Sequence, residues 1–230
     1  MNAAVMALDR HRDALLRILP FALYILFLAT TPLLAQAFPG IDRRWLYALQ
    51  VGTVAAVLLF FARHYVELYS GPRLSLTQWA VTLATGVAVF VIWINLDLPW
   101  ARLAAGGPGF DPRDAAGMID WPLATVRLLG AAVVVPVMEE LFWRSFLMRW
   151  IDNPKFLAVM PAVLSLRALL LSSLVFGVEH NLWVAGVLAG LAYGWLYLRT
   201  SNLWTAIVAH AMTNLLLGLW VLSTGAWHFW

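Results

Sequence analysis

The chain carries no cysteine, which excludes disulfides, thiolate metal sites and cysteine nucleophiles but says nothing of the compartment. Charge is scarce too. Asp, Glu, Lys and Arg make up 12% of the 230 residues, where soluble domains carry about 25%. The formal net charge is only +3 and no basic run occurs, so nothing marks a nucleic-acid partner. The His-Glu-x-x-His pattern of zinc metalloproteases is missing. So are a Gly-x-Ser-x-Gly nucleophile elbow and a pair of aspartates inside apolar stretches, since the aspartates fall in loops or at the ends of such stretches. No internal repeat is found, although carriers are commonly built from repeated halves.

What remains is apolar. Hydrophobic residues make up 63% of the chain and there are 13 Trp, a composition that suits a polytopic membrane protein with interfacial aromatic belts. The expected fold is an all-α transmembrane bundle of seven to eight spans, one continuous membrane domain in three stretches. Residues 1–17 form a polar, basic cytoplasmic tail, 18–121 the N-terminal membrane helices with a long loop, and 122–230 the catalytic region. After a first span from Ile18 to about Leu34, further spans read as 45–62, 76–96, 122–150, 164–180, 182–199 and 202–224. Each meets or approaches the ~20 residues needed to cross. Pro136 can split the long 122–150 segment and so make the eighth. Ala35-Gln36-Ala37 resembles a signal-peptidase site, but the apolar run before it is longer than the ~7–15 residues of a signal core and holds Pro20 and Pro32, so the span is expected to be retained. With a cytoplasmic N-terminus, the inner side holds Arg10, Arg12, Arg17, Arg63, Arg73, Arg149, Lys155 and Arg199. The outer side holds Arg43, Arg44, Arg102 and Arg113, so the bias favours N-in, in a bacterial inner (plasma) membrane. The long connection 97–121, with Gly106-Gly107-Pro108-Gly109, reads as a linker or a lid. Gly186, Gly190 and Gly194 form a double small-xxx-small pattern for close helix packing.

Ionisable groups inside such spans are costly, so by default they mark function. Val135-Pro136-Val137-Met138-Glu139-Glu140-Leu141-Phe142-Trp143-Arg144 places two carboxylates and an arginine in one apolar helix. Glu140 and Arg144 are i and i+4 and can pair, while Glu139 lies about 100° round the helix and faces elsewhere. One arginine cannot fully compensate two desolvated carboxylates, so one should titrate high or find a second partner, and such a group suits general-base work. His180 ends Phe176-Gly177-Val178-Glu179-His180, and a histidine at a helix end is also a plausible cap. His210 lies deep in its span with Asn214 at i+4, a face that could supply oxyanion donors or merely an interhelical bond. Glu179 puts a third carboxylate beside these groups and could compete as base. Read from the residues, the constellation points to glutamate and histidines acting on water, with or without a metal. If a metal is used, Glu139, His180 and His210 could ligate Zn²⁺. A polar, water-accessible cavity is expected between the fourth, fifth and seventh spans. A proton-coupled transporter, or an inactive scaffold or immunity protein, would use the same residues differently.

At these residues the sequence resembles the CPBP family of intramembrane proteases, which includes Ras-converting CAAX prenyl endopeptidases and bacterial Abi proteins. Glu-Glu-x-x-x-Arg appears as Glu139 to Arg144, Phe-x-x-x-His as Phe176 to His180, and His-x-x-x-Asn as His210 to Asn214. Leu19-Pro20-Phe21-Ala22-Leu23-Tyr24 is similar to the exosortase-associated branch. The resemblance implies an endopeptidase with an eight-helix core that cleaves a peptide bond near the C-terminus of a membrane-anchored protein or peptide. It assigns water activation to Glu139 with His180, oxyanion stabilisation to His210 and Asn214, and support to Glu140 and Arg144. It favours a mechanism without a cofactor.

Overall fold

The computed structural model describes residues 3–40, 42–105, 107 and 109–230. Among the described residues there are seven helices: α1 Ala3–Ala37, α2 Trp45–Phe60, α3 Leu76–Asn95, α4 Trp121–Asp152, α5 Leu166–Val178, α6 Trp183–Thr200 and α7 Leu203–Thr224. With 76% of the chain helical and no strand among the described residues, the all-α expectation stands. Four helices are long and apolar enough to cross a membrane: α1 over His11–Leu34, α3, α4 and α7. α5 has 13 residues, a rise of about 20 Å that falls short of the ~30 Å hydrocarbon core. Helix starts at Ala3, so the stretch read as a tail continues the first membrane helix. Gly106 and Pro108 of the expected glycine-rich loop lie outside the described residues.

Pro136 does not split α4. The helix absorbs it by widening. Gly130–Val134 is π-helical, and Val135 N–H donates to Gly130 O, five residues back. The next bond in that register would run from residue 136 to Ala131 O, and proline has no N–H to give. Asn214 Nδ2 on α7 donates to Ala131 O instead, at 2.8 Å. A second π-helical stretch, Leu141–Leu147, follows the short α-helical segment Val135–Glu140. The two glutamates therefore sit between two widened turns, a form of helix frequent at functional sites.

Glycines set the helix spacing. A Cβ on Gly186 would lie 2.9 Å from Gly177 Cα, and one on Gly190 2.9 Å from Ser173 Cα, so α5 and α6 meet backbone to backbone as the small-residue pattern predicts. Gly86 similarly lets α3 close on Ala209 O of α7. α6 turns into α7 through Ser201 in the left-handed region (φ 51°), and Asn202 caps α7 through Trp204 N–H.

Hydrogen bonds gather the connections at two ends. At one end Asn202 Nδ2 donates to Pro72 O at 2.8 Å, and Arg149 bonds the carbonyls of Leu157 and Val159. There Arg17, fully buried, clasps Glu67 through Nε (2.8 Å) and Nη2 (2.6 Å), and Ser145 Oγ donates to the same carboxylate. Two cations assigned by sequence to the basic side, Arg17 and Arg149, are thus buried and bonded within the protein. At the other end, Leu103 N–H donates to Asn181 O and Phe110 N–H to Trp230 O, while Arg44 Nη1 donates to Arg113 O. The long connection is therefore tied down at three places.

Candidate active site

A cavity of about 280 Å³ opens between the helices, and Glu139, Glu179, His180, His210 and Asn214 all line it. Three of the spans expected to frame it do so: α4 brings Glu139, the turn after α5 brings Glu179 and His180, and α7 brings His210 and Asn214. The wall is broader than expected, because Tyr24 of α1, Tyr47 of α2, Trp93 of α3, Tyr193 of α6 and Trp230 complete it.

The two glutamates have separate environments. Glu140 is fully buried and does not line the cavity. Its Oε2 lies 3.0 Å from Arg144 Nε, the i,i+4 pair expected from helical spacing, and its Oε1 accepts from His210 Nδ1 at 2.9 Å. Arg144 is fixed further by Gly190 O at 3.2 Å and by the Phe176 ring, 4.6 Å beneath its guanidinium. Glu139 is 5% exposed, faces the cavity, and leaves Oε2 buried without a hydrogen-bond partner. A buried, unpartnered carboxylate oxygen is costly unless something polar enters to meet it.

The histidines are oriented through Nδ1. His180 Nδ1–H donates to Phe176 O at 2.8 Å, which leaves Nε2 of the neutral ring as an acceptor. His210 gives its Nδ1–H to Glu140 and stacks on Tyr193, with ring centroids 5.0 Å apart and planes within 17°. Tyr193 Oη in turn donates to Thr213 Oγ1, and Thr213 to Gly86 O, each at 2.8 Å. Because Nδ1 is committed, His210 can donate from Nε2 only as the imidazolium. Asn214 commits one amide hydrogen to Ala131 O and keeps one. Among the described residues, no group of three histidine or acidic side chains is arranged to hold a metal ion.

Three contributors escaped the sequence reading. Tyr193 was hidden among helix-packing residues, and the Glu140–His210 bond crosses 70 positions that no local period relates. Arg127, a cation in the apolar run of α4, also lines the cavity, and its presence in that run was a readable signal.

Residues 121–216 match the family model described as type II CAAX prenyl endopeptidase, Rce1-like. The matched segment runs from the start of α4 through Asn214 and so contains every residue named from the three motifs. No curated protein matches, and no solved structure does.

Proposed function

We propose, from the match of residues 121–216 to the CAAX prenyl endopeptidase model, that the chain is an intramembrane endopeptidase in which Glu139 activates a water molecule against a peptide bond near the C-terminus of a membrane-anchored substrate. One observation carries this reading: Glu139 holds a buried carboxylate oxygen without a partner, in the cavity that His180, His210 and Asn214 also line. Water there would give one hydrogen to Glu139 and the other to His180 Nε2, which Phe176 O keeps as an acceptor. Glu139 takes the first proton as the water oxygen attacks the scissile carbonyl. The remaining amide hydrogen of Asn214, and Nε2 of protonated His210 balanced by Glu140, then face the oxyanion. Glu139 returns its proton to the leaving amine. The carboxylate thus ends as it began, and no metal enters the cycle.

Glu140 and Arg144 act through His210. Glu140, held by Arg144, fixes the tilt of the imidazolium and balances its charge, so they position the site and do not touch the substrate. Tyr193 backs the same ring from its other side.

The decisive experiment incubates the purified protein with lipid-anchored C-terminal peptides, with and without a chelator, and reads products by mass spectrometry. Cleavage that withstands the chelator and disappears in Glu139→Gln is expected. Cleavage that persists in Glu139→Gln would remove Glu139 from its role, and loss on chelation would reinstate a metal.

A further inference from the structure

Arg127 is the seventh residue of α4 and lines the cavity that holds Glu139. Its guanidinium lies 4.4 Å from the centroid of the Tyr47 ring and 5.5 Å from that of Phe110, and its Nε is buried with no hydrogen-bond partner. Tyr47 is itself fixed, because it packs against Gly130, where a Cβ would come within 2.6 Å of its hydroxyl. The buried arginines Arg17, Arg144 and Arg149 each have a partner within the protein: Arg17 and Arg144 a carboxylate, Glu67 and Glu140, although Arg144 Nη1 is left without a hydrogen bond, and Arg149 the carbonyls of Leu157 and Val159. Among the described residues Arg127 forms no ion pair. A lipid-facing arginine would extend to the headgroups. This one is held against aromatic faces at the wall of a polar cavity.

Building on the endopeptidase reading above, we propose that Arg127 binds the C-terminal carboxylate of the substrate and so measures where the chain is cut. A guanidinium presents a planar fork of donors that matches a carboxylate in two parallel hydrogen bonds. An enzyme that cuts near a C-terminus needs a group that recognises a free end, and this cation is the one in the cavity without a counter-charge of its own. The spacing suits the task. Arg127 and Glu139 are twelve residues apart on one helix, about 18 Å along its axis. An extended peptide covers roughly 3.3 Å per residue, so about five residues bridge the two side chains' stations. The fragment released is therefore short.

The test uses the full-length protein in detergent micelles and two fluorescent, N-terminally acylated peptides, identical except that one ends in a free carboxylate and the other in a carboxamide. The acid is expected to bind the wild type at least tenfold more tightly than the amide. Arg127→Gln should bring the acid down to the amide's affinity, and Arg127→Lys, which keeps a point charge but loses the fork, should fall between. If the peptides are cleaved, the difference should appear in KM with kcat little changed. Equal affinity of the wild type for both peptides overturns the proposal, and so does a preference that survives in folded Arg127→Gln. Should Arg127→Gln fail to fold, the wild-type comparison and Arg127→Lys still decide. A carboxylate preference that depends on Arg127 without any cleavage would sink the endopeptidase reading and leave the anion site standing. Cleavage of both peptides at equal KM would do the reverse.

Discussion

Adjacent in sequence, Glu139 and Glu140 should respond oppositely to the same substitution. Glu139 faces the cavity with one oxygen unpartnered, so Glu139→Gln removes a buried charge with little lost bonding. Its melting temperature is expected to match or exceed that of the wild type, while peptide cleavage falls by the ~10²–10⁴-fold that a positioned general base contributes. Glu140 answers both Arg144 and His210 from a fully buried position. Glu140→Gln strands a buried guanidinium, and breaking a buried pair from one side costs about 3–5 kcal/mol. That variant should lose stability and activity together. Thermal unfolding measured beside cleavage separates the two, and a stable Glu140→Gln protein would contradict the ion-pair network described here.

The widened turns of α4 make a prediction that belongs to the element. Asn214 Nδ2 supplies Ala131 O with the donor that Pro136 lacks, so the two residues should be coupled. Asn214→Ala alone leaves a part-buried carbonyl without its donor, a cost of about 1–3 kcal/mol. In a Pro136→Ala background a backbone N–H is restored, and the same truncation should cost about 1 kcal/mol less in a double-mutant cycle. Additive costs would mean that the side chain and the proline act independently. The same helix shows what a sequence can disclose. Helical spacing pairs Glu140 with Arg144 and sets His210 beside Asn214, and the small-residue pattern at Gly186 and Gly190 foretells close packing, because all of these are local. Spacing at 3.6 residues per turn cannot reveal π turns, so Pro136 reads as a break where the structure absorbs it. Nor can it join Glu140 to His210, which meet only when α4 and α7 pack. Glu139 reads as an unpaired carboxylate on both counts, since its isolation follows from having a single arginine nearby.

For the whole molecule, the clasp between Arg17 and Glu67 ties α1 to the connection before α3, and Ser145 extends it to α4. Burial pushes the Glu67 carboxyl up, but the Arg17 guanidinium and the Ser145 hydroxyl outweigh it and hold the group below the usual carboxylate range. A carboxylate whose folded value is depressed stabilises the protein fully above its unfolded pKa, about 4.3, and loses that contribution as pH falls through the folded value. Wild-type melting temperature should therefore fall more steeply than that of Glu67→Gln below about pH 4, where ordinary glutamates titrate. Parallel curves would remove Glu67 from the acid sensitivity of the fold. The absence of cysteine allows the orientation to be read just as directly. The cavity reaches the end of the bundle where Tyr47, Trp93 and Trp230 lie, beside the 97–120 connection. Exposed Ala115 belongs to that end, and exposed Lys155 to the end where Arg17 is clasped. With a cytoplasmic N-terminus, as the distribution of arginine and lysine favours, an impermeant maleimide should label Ala115→Cys in intact cells and Lys155→Cys only after permeabilisation. Substrate would then reach Glu139 from the non-cytoplasmic side, with its carboxyl end held at Arg127. The opposite labelling pattern would invert the molecule and make the cytoplasm the side from which substrates enter.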